Sequence, residues 1–252
     1  MNKNRFITSP KAKSSGVVRI ERESLTTIVL LCDSPGYRMK SYGPPCLINM
    51  GASNKLIDLQ ISAICQSFKR FEIIVCVGFD AEKICKHIRL QYKDINIRIV
   101  ENQLFNNSNS CESARLAINN TINDNIIICD GNLLLNVNIL SLIDRSHSCA
   151  IVETNPCKNL EIGINVDENN NVQHFSFGAY YKWSEIVFLH DSDTVESFRR
   201  IIGMVEYKNK FVFEALNELI KTKLELKCLQ NTYSVKKINN VKTYHEVKGA
   251  NV

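Results

Sequence analysis

The chain has 252 residues, 44% of them apolar, enough to bury a full core. No run approaches the roughly 20 apolar residues of a membrane-spanning helix, and the polar N-terminus has no leader-like apolar core, so a soluble, cytoplasmic protein without a membrane span is expected. The net charge of +5 is carried by residues 1–22, where Lys3, Arg5, Lys11, Lys13, Arg19 and Arg22 face Glu21 alone. The rest of the chain is balanced, and no RNA-binding or helix-turn-helix signature is present, which argues against nucleic acid as a partner. Ten cysteines include no Cys-x-x-Cys pair, and Cys32, Cys65, Cys76 and Cys129 lie inside apolar runs. They read as buried, reduced thiols, not as zinc ligands or a disulfide framework.

Residues 1–24 are polar and aperiodic and read as a flexible basic arm ahead of a single α/β domain over 25–252. The first strand, Ile28 to Cys32, breaks into the turn Asp33-Ser34-Pro35-Gly36-Tyr37-Arg38. A β-branched run stopping at Ser-Pro-Gly before cations is a pattern for a buried strand feeding an anion-holding loop. Pro44 and Pro45 precede an amphipathic helix from about Asn54 to Phe68, in which Ile57, Ile61, Ile64, Cys65 and Phe68 share a face. A second strand covers Glu72 to Val77, and Asp80 is placed to cap a helix through His87 and Leu90. A third strand spans Ile95 to Val100, a polar segment leads into a short helix holding Ser113, and the fourth strand, Asn125 to Cys129, runs directly into Asp130-Gly131-Asn132.

The second half is expected to be a hairpin-like mixed sheet with short strands at 149–153, 161–166 and 172–177. Gly178-Ala179-Tyr180-Tyr181 then leads towards a helix near Ser184 to Leu189. Helices near 193–205 and 209–221, strands at 224–228 and 233–238, and a last short helix after Asn240 close the chain. Strands alternating with helices argue for a Rossmann-like, mostly parallel sheet flanked by helices.

In such a sheet ligands collect outside the carboxyl ends of the strands. Three polar groups are predicted to meet there: the 34–40 loop, the Asn107–Ser113 segment and Asp130. Taken alone, Arg38 reads as a surface arginine and Asp130-Gly131 as a turn. Asn109 and Ser110 read as helix caps. Asp130 gains weight as a ligand because it directly ends an apolar strand.

The pattern resembles nucleotidyltransferases of the glycosyltransferase-A-like fold, the sugar-phosphate nucleotidyltransferases and phosphocholine cytidylyltransferases. The family's G-x-G-x-R-[LM] is met by Ser34-Pro35-Gly36-Tyr37-Arg38-Met39, its P-K-P-L by Pro44-Pro45-Cys46-Leu47, and its strand ending in G-D by Cys129-Asp130. Segment 107–114 is similar to its t-N-x-x-S-L stretch, Gly178-Ala179-Tyr180-Tyr181 to its G-[IA]-Y strand, and Lys237-Ile238-Asn239-Asn240 to its E-I-D-T element. The chain departs from the family at Ser34, at Pro45 in place of the phosphate-contacting lysine, and at Asn239 in place of an aspartate; Lys40 and Lys55 are the nearby cations.

The resemblance implies that an NMP unit passes from a nucleoside triphosphate to a phosphorylated small-molecule acceptor, such as a sugar 1-phosphate or phosphocholine, with release of pyrophosphate. It implies nucleotide contacts from Cys32, Asp33, Ser34, Gly36, Arg38 and Ser113, and acceptor contacts from Gly178 and Tyr180. It assigns catalytic roles to Arg38 and Asp130, and it implies a Mg²⁺ cofactor held by Asp130 and Asn239. The alternatives are a glycosyltransferase with Asp130-Gly131-Asn132 in place of D-x-D, and a degenerate binding or assembly protein for which Pro45 is the argument. A homo-oligomer is left open.

Overall fold

The structure is a computed structural model describing residues 25–36, 38–51, 54–222, 224–233 and 235–250. The basic arm expected over 1–24, and Tyr37, lie outside the described residues. In chain order the elements are β1 (Thr26–Cys32), β2 (Asn49–Gly51), β3 (Asn54–Lys55), α1 (Leu56–Ser67), β4 (Phe71–Val77), α2 (Ala81–Gln91), β5 (Ile97–Glu101), α3 (Ser110–Ile118), β6 (Asn125–Asp130), β7 (Leu133–Leu134) and α4 (Val137–Leu140). The second half adds β8 (Cys149–Pro156), β9 (Ile162–Val166), β10 (Val172–Phe177), β11 (Tyr181–His190), α5 (Ser192–Ile202), α6 (Val212–Lys221), β12 (Lys227–Asn231), β13 (Lys236–Lys237) and α7 (Val241–Ala250).

One nine-stranded sheet organises the molecule in the order β10-β9-β11-β6-β1-β4-β5, with β8 pairing both β11 and β12. β6, β1, β4 and β5 are mutually parallel, whereas β11 runs antiparallel to β6 and marks the change to the mixed half. The inner strands β6, β1 and β4 are apolar because both sheet faces are covered there, whereas edge strand β5 carries exposed Arg98 and Glu101. Alternate side chains of β1 enter opposite cores. Val29 and Leu31 pack with α3, α5 and α6 residues such as Ala114, Phe198 and Leu216. Ile28 and Leu30 pack under α1, α2 and α4 with Ile61, Ile88 and Ile139. A third cluster of Met39, Ile48, Met50, Leu56, Ile238, Tyr244 and Val247 fastens α7 over the loop that follows β1.

The segment expected to be a helix at 184–189 is the interior of β11. Ile186, Val187, Phe188 and Leu189 are all buried opposite Cys129 to Ile126. A short apolar run fits a buried helix or a central strand equally well by period, and pairing with β6 decides it. Asp80 does stand at the N-cap of α2, but its side chain caps no backbone N–H and pairs instead with Lys83 at 2.6 Å. The strand expected over 233–238 is reduced to the two residues of β13, and α1 begins at Leu56 because Asn54–Lys55 pairs with β2.

Candidate functional site

Parallel register brings the ends of β1 and β6 level, Leu31 lying opposite Asp130, so the loops leaving them open on the same side. There they bound a cavity of about 560 Å³ whose wall includes Cys32 to Gly36, Arg38, Asp130 to Asn132, Glu185, Lys237 and Asn239. The loop after β1 is held by close packing. Gly36 has φ +54°, a region that disfavours side chains, and a Cβ there would lie 2.6 Å from Cγ of Pro45. Pro45, which replaces a lysine by resemblance, is thus the buried wedge against which the turn closes. The Gly36 N–H donates to the Ser34 hydroxyl at 3.2 Å. Arg38 is exposed on the cavity wall and makes no ion pair among the described residues.

Asp33 anchors the same loop from beneath. Its carboxylate accepts the Ser113 hydroxyl at 2.7 Å and the Asn102 amide at 3.3 Å, and its carbonyl accepts the Phe79 N–H at 3.0 Å. Burial pushes the Asp33 carboxyl up, with the negative Asp130 adding to it, while the bonds from Ser113, its own backbone and Asn102 oppose the rise. Ser113 is fully buried in this knot and does not line the cavity. Asn109, expected as a cap, does sit at the α3 N-cap, where its side chain accepts the Ser110 N–H.

At the opposite wall Asp130 meets two residues that the sequence reading did not single out. Lys237 Nζ donates to Asp130 Oδ2 at 3.1 Å and forms a short ion pair with Glu185. Glu185 reaches in because β11 bulges against β8 between Trp183 and Val187, and Glu185 takes φ +59° there. A bulge re-aims a side chain that regular alternation would direct elsewhere. Lys237 is set by pairing of β13 with β7, Lys237 opposite Leu133, and by the Ile238 N–H donating to Asn132 O at 2.8 Å. Buried Gln60 fixes the intervening turn by donating to the carbonyls of Asp130 and Leu133. Burial works against the Asp130 charge, yet the Lys237 ammonium and the bonds from Glu185 and Lys237 hold its carboxyl below the usual range. Glu185 goes the other way, raised by burial and by the Asp130 charge beside it. Lys237 stays firmly protonated: burial opposes its charge, and Asp130 and then Glu185 outweigh that.

This set does not fit a protein-held divalent ion. The Asp130 carboxylate expected to ligate Mg²⁺ carries an ammonium, and the Asn239 carbonyl oxygen accepts the Asn240 amide at 2.7 Å. Among the described residues no group of three or more His, Cys, Asp and Glu side chains converges to hold a metal. Mg²⁺ favours several oxygen donors in near-octahedral array, and a lysine in contact with its main carboxylate excludes that array by charge and by space.

Gly178 and Tyr180 do not line the cavity. Gly178 turns the chain between β10 and β11 with φ +66°, its N–H on the Glu161 carbonyl, and Tyr180 is 75% exposed. The cavity wall instead offers Phe105, Trp183, Phe211 and Phe213, with Phe211 stacked on Phe213 at 5.7 Å between centroids. Lys55 is absent from the wall, and the Lys40 side chain lies outside the described part.

Searched by sequence, the chain matches no protein-family model and no curated protein. Solved structures do match. The CTP:phosphocholine cytidylyltransferase of Streptococcus pneumoniae superposes with a TM-score of 0.73 at 16% identity, over 91% of this chain and 100% of that one. The inositol-1-phosphate CTP transferase of T. maritima gives 0.68 at 14% identity, over 90% and 96%. A nucleoside-diphosphate-sugar pyrophosphorylase of Vibrio cholerae RC9 gives 0.71 at 11% identity, over 88% and 99%. The chain therefore shares the fold of these proteins over about nine tenths of its length. Among the described residues no helix is long and apolar enough to cross a membrane.

Proposed function

We propose that the cavity is a nucleotide site and that the chain transfers a nucleotidyl group from a nucleoside triphosphate to a phosphorylated small acceptor. The observation carrying this reading is that Arg38, the Ser34–Gly36 turn and Asp130, from separate strand ends, bound a single hollow in a nucleotidyltransferase fold. Arg38 supplies an exposed guanidinium, without an ion pair among the described residues, for the triphosphate, and the turn supplies the exposed Ser34 hydroxyl. The aromatic wall of Phe105, Trp183, Phe211 and Phe213 offers stacking and apolar area to the base or acceptor.

In this reaction a phosphate oxygen of the acceptor forms a bond to the α-phosphorus. The bond from the α-phosphorus to the bridging oxygen breaks, and pyrophosphate departs with the electron pair. Two anions must approach each other, so positioning and cationic screening are what the protein contributes. Arg38 screens from the turn, and Lys237, anchored by Asp130 and Glu185, screens from the opposite wall. The triphosphate is taken as its Mg²⁺ complex, the ion belonging to the substrate. Folded protein incubated with each of the four Mg²⁺ triphosphates and a panel of phosphorylated acceptors is expected to release pyrophosphate with at least one pair. Silence across the panel contradicts transfer.

A second reading, transfer from a nucleotide sugar, rests on Asp130, Gly131 and Asn132 all lining the cavity. It predicts consumption of a nucleotide sugar with no pyrophosphate. A binding-only role rests on Pro45 filling the turn that elsewhere carries a lysine; it predicts nucleotide binding without turnover.

A further inference from the structure

We infer that Lys237 is a built-in cation that takes the place of a protein-held divalent ion in this cavity, so that the chain's own ammonium screens the anions bound there. The inference deepens the nucleotide reading, since it concerns the charge balance of the same hollow. The ammonium contacts both Asp130, which ends β6, and Glu185, which the β11 bulge brings alongside. Three separate devices deliver this arrangement: the strand end, the bulge and the two-residue pairing of β13 with β7. A surface lysine with a chance partner needs none of them.

On this wall Asp130 and Glu185 stand side by side, and Lys237 is the cation in contact with both. Without the ammonium, Asp130 and Glu185 face each other as like charges, the situation in which proteins recruit a metal. With it, the pair is satisfied and a divalent ion gains little by entering. A lysine also does what a bound ion cannot: its four-carbon stem fixes the charge to β13, so the screening needs no metal binding step.

The test is a Mn²⁺ titration of the full chain without nucleotide, followed by the paramagnetic resonance of the free ion. The parent is expected to show no saturable site. Lys237→Glu, which places a third carboxyl beside Asp130 and Glu185, is expected to bind Mn²⁺ at least roughly tenfold more tightly than the parent. Adding Asp130→Asn is expected to abolish the gain. Lys237→Gln, which removes the charge at similar length, should show a smaller gain in the same direction. Saturable Mn²⁺ binding by the parent that Asp130→Asn removes overturns the inference, as does a folded Lys237→Glu chain with no gain. If Lys237→Glu does not fold, the parent and Lys237→Gln titrations decide: a parent site, or no gain in Lys237→Gln, overturns it. A separate titration with Mg²⁺ triphosphates keeps the two questions apart. Indifference to every nucleotide removes the functional reading and leaves the Mn²⁺ result standing.

Discussion

The two sides of the cavity are built by different physics. On one side, β1 and β6 are parallel, buried on both faces and level at their ends, so Arg38 and Asp130 arrive where the sheet topology delivers them. On the other, Glu185 and Lys237 arrive through a bulge and a two-residue strand, local irregularities that only tertiary pairing stabilises. The first side follows from the sheet topology itself. The second is where a chain can change its chemistry without disturbing the scaffold, and here it carries a lysine against the carboxylate.

Breaking the scaffold should have the largest effect. Phe188 is fully buried in β11 opposite Ile127, at the seam between the parallel and mixed halves. Phe188→Ala is expected to cost about 3–5 kcal/mol, read as a lowered midpoint in denaturant unfolding. Damage to the binding side should be smaller and confined to the ligand. Arg38→Ala removes one exposed, charge-assisted contact worth about 1.5–3 kcal/mol, hence a roughly ten- to hundredfold weaker triphosphate affinity by calorimetry, with the melting temperature unchanged.

Gly36→Ala joins the two sides, since it strains φ at +54° and drives a Cβ into Pro45. A loss of about 1–3 kcal/mol is expected in thermal melts, together with weakened nucleotide binding from the displaced turn. If melting falls and binding does not, the turn is not part of the nucleotide site. The smallest effect concerns Asp33. Its carboxyl is raised in the folded state, so the native chain holds that proton to higher pH than the unfolded chain does. Burying the charge therefore costs stability at pH above the native value, and the cost fades as pH falls through it towards the ordinary carboxylate range. Asp33→Asn, which keeps an acceptor for Ser113, is expected to melt slightly higher than the parent near neutral pH and to lose that advantage in acid. A melting series across pH checks it.

The sequence made the topological side readable because buried parallel strands announce themselves as apolar runs, and a run ending in Asp-Ser-Pro-Gly or Asp-Gly marks a strand's carboxyl end. That Asp130 and Arg38 would border the same end of the sheet was legible for that reason. Glu185 was not, because the stretch holding it reads as a short apolar helix by period. A residue whose element is misassigned cannot be aimed at a site. Lys237 was in view only as one letter of a loosely matched closing element; that it turns onto Asp130 depends on β13 pairing with β7, a two-residue ladder with no periodic signal. Ser113 was placed in the right neighbourhood, but its hydroxyl serves Asp33. Tyr180 and Gly178 follow a family spacing, and here that spacing places them on the β10–β11 turn away from the wall.

One hollow between the β1 turn and the β6 end is proposed to receive a triphosphate. A crystal structure of the full chain grown with a Mg²⁺ triphosphate tests it most directly. Phosphate density is expected against the Arg38 guanidinium and the Ser34–Gly36 turn, with Lys237 still bridging Asp130 and Glu185. A nucleotide bound elsewhere, or a clear cavity in crystals soaked to saturation, contradicts it.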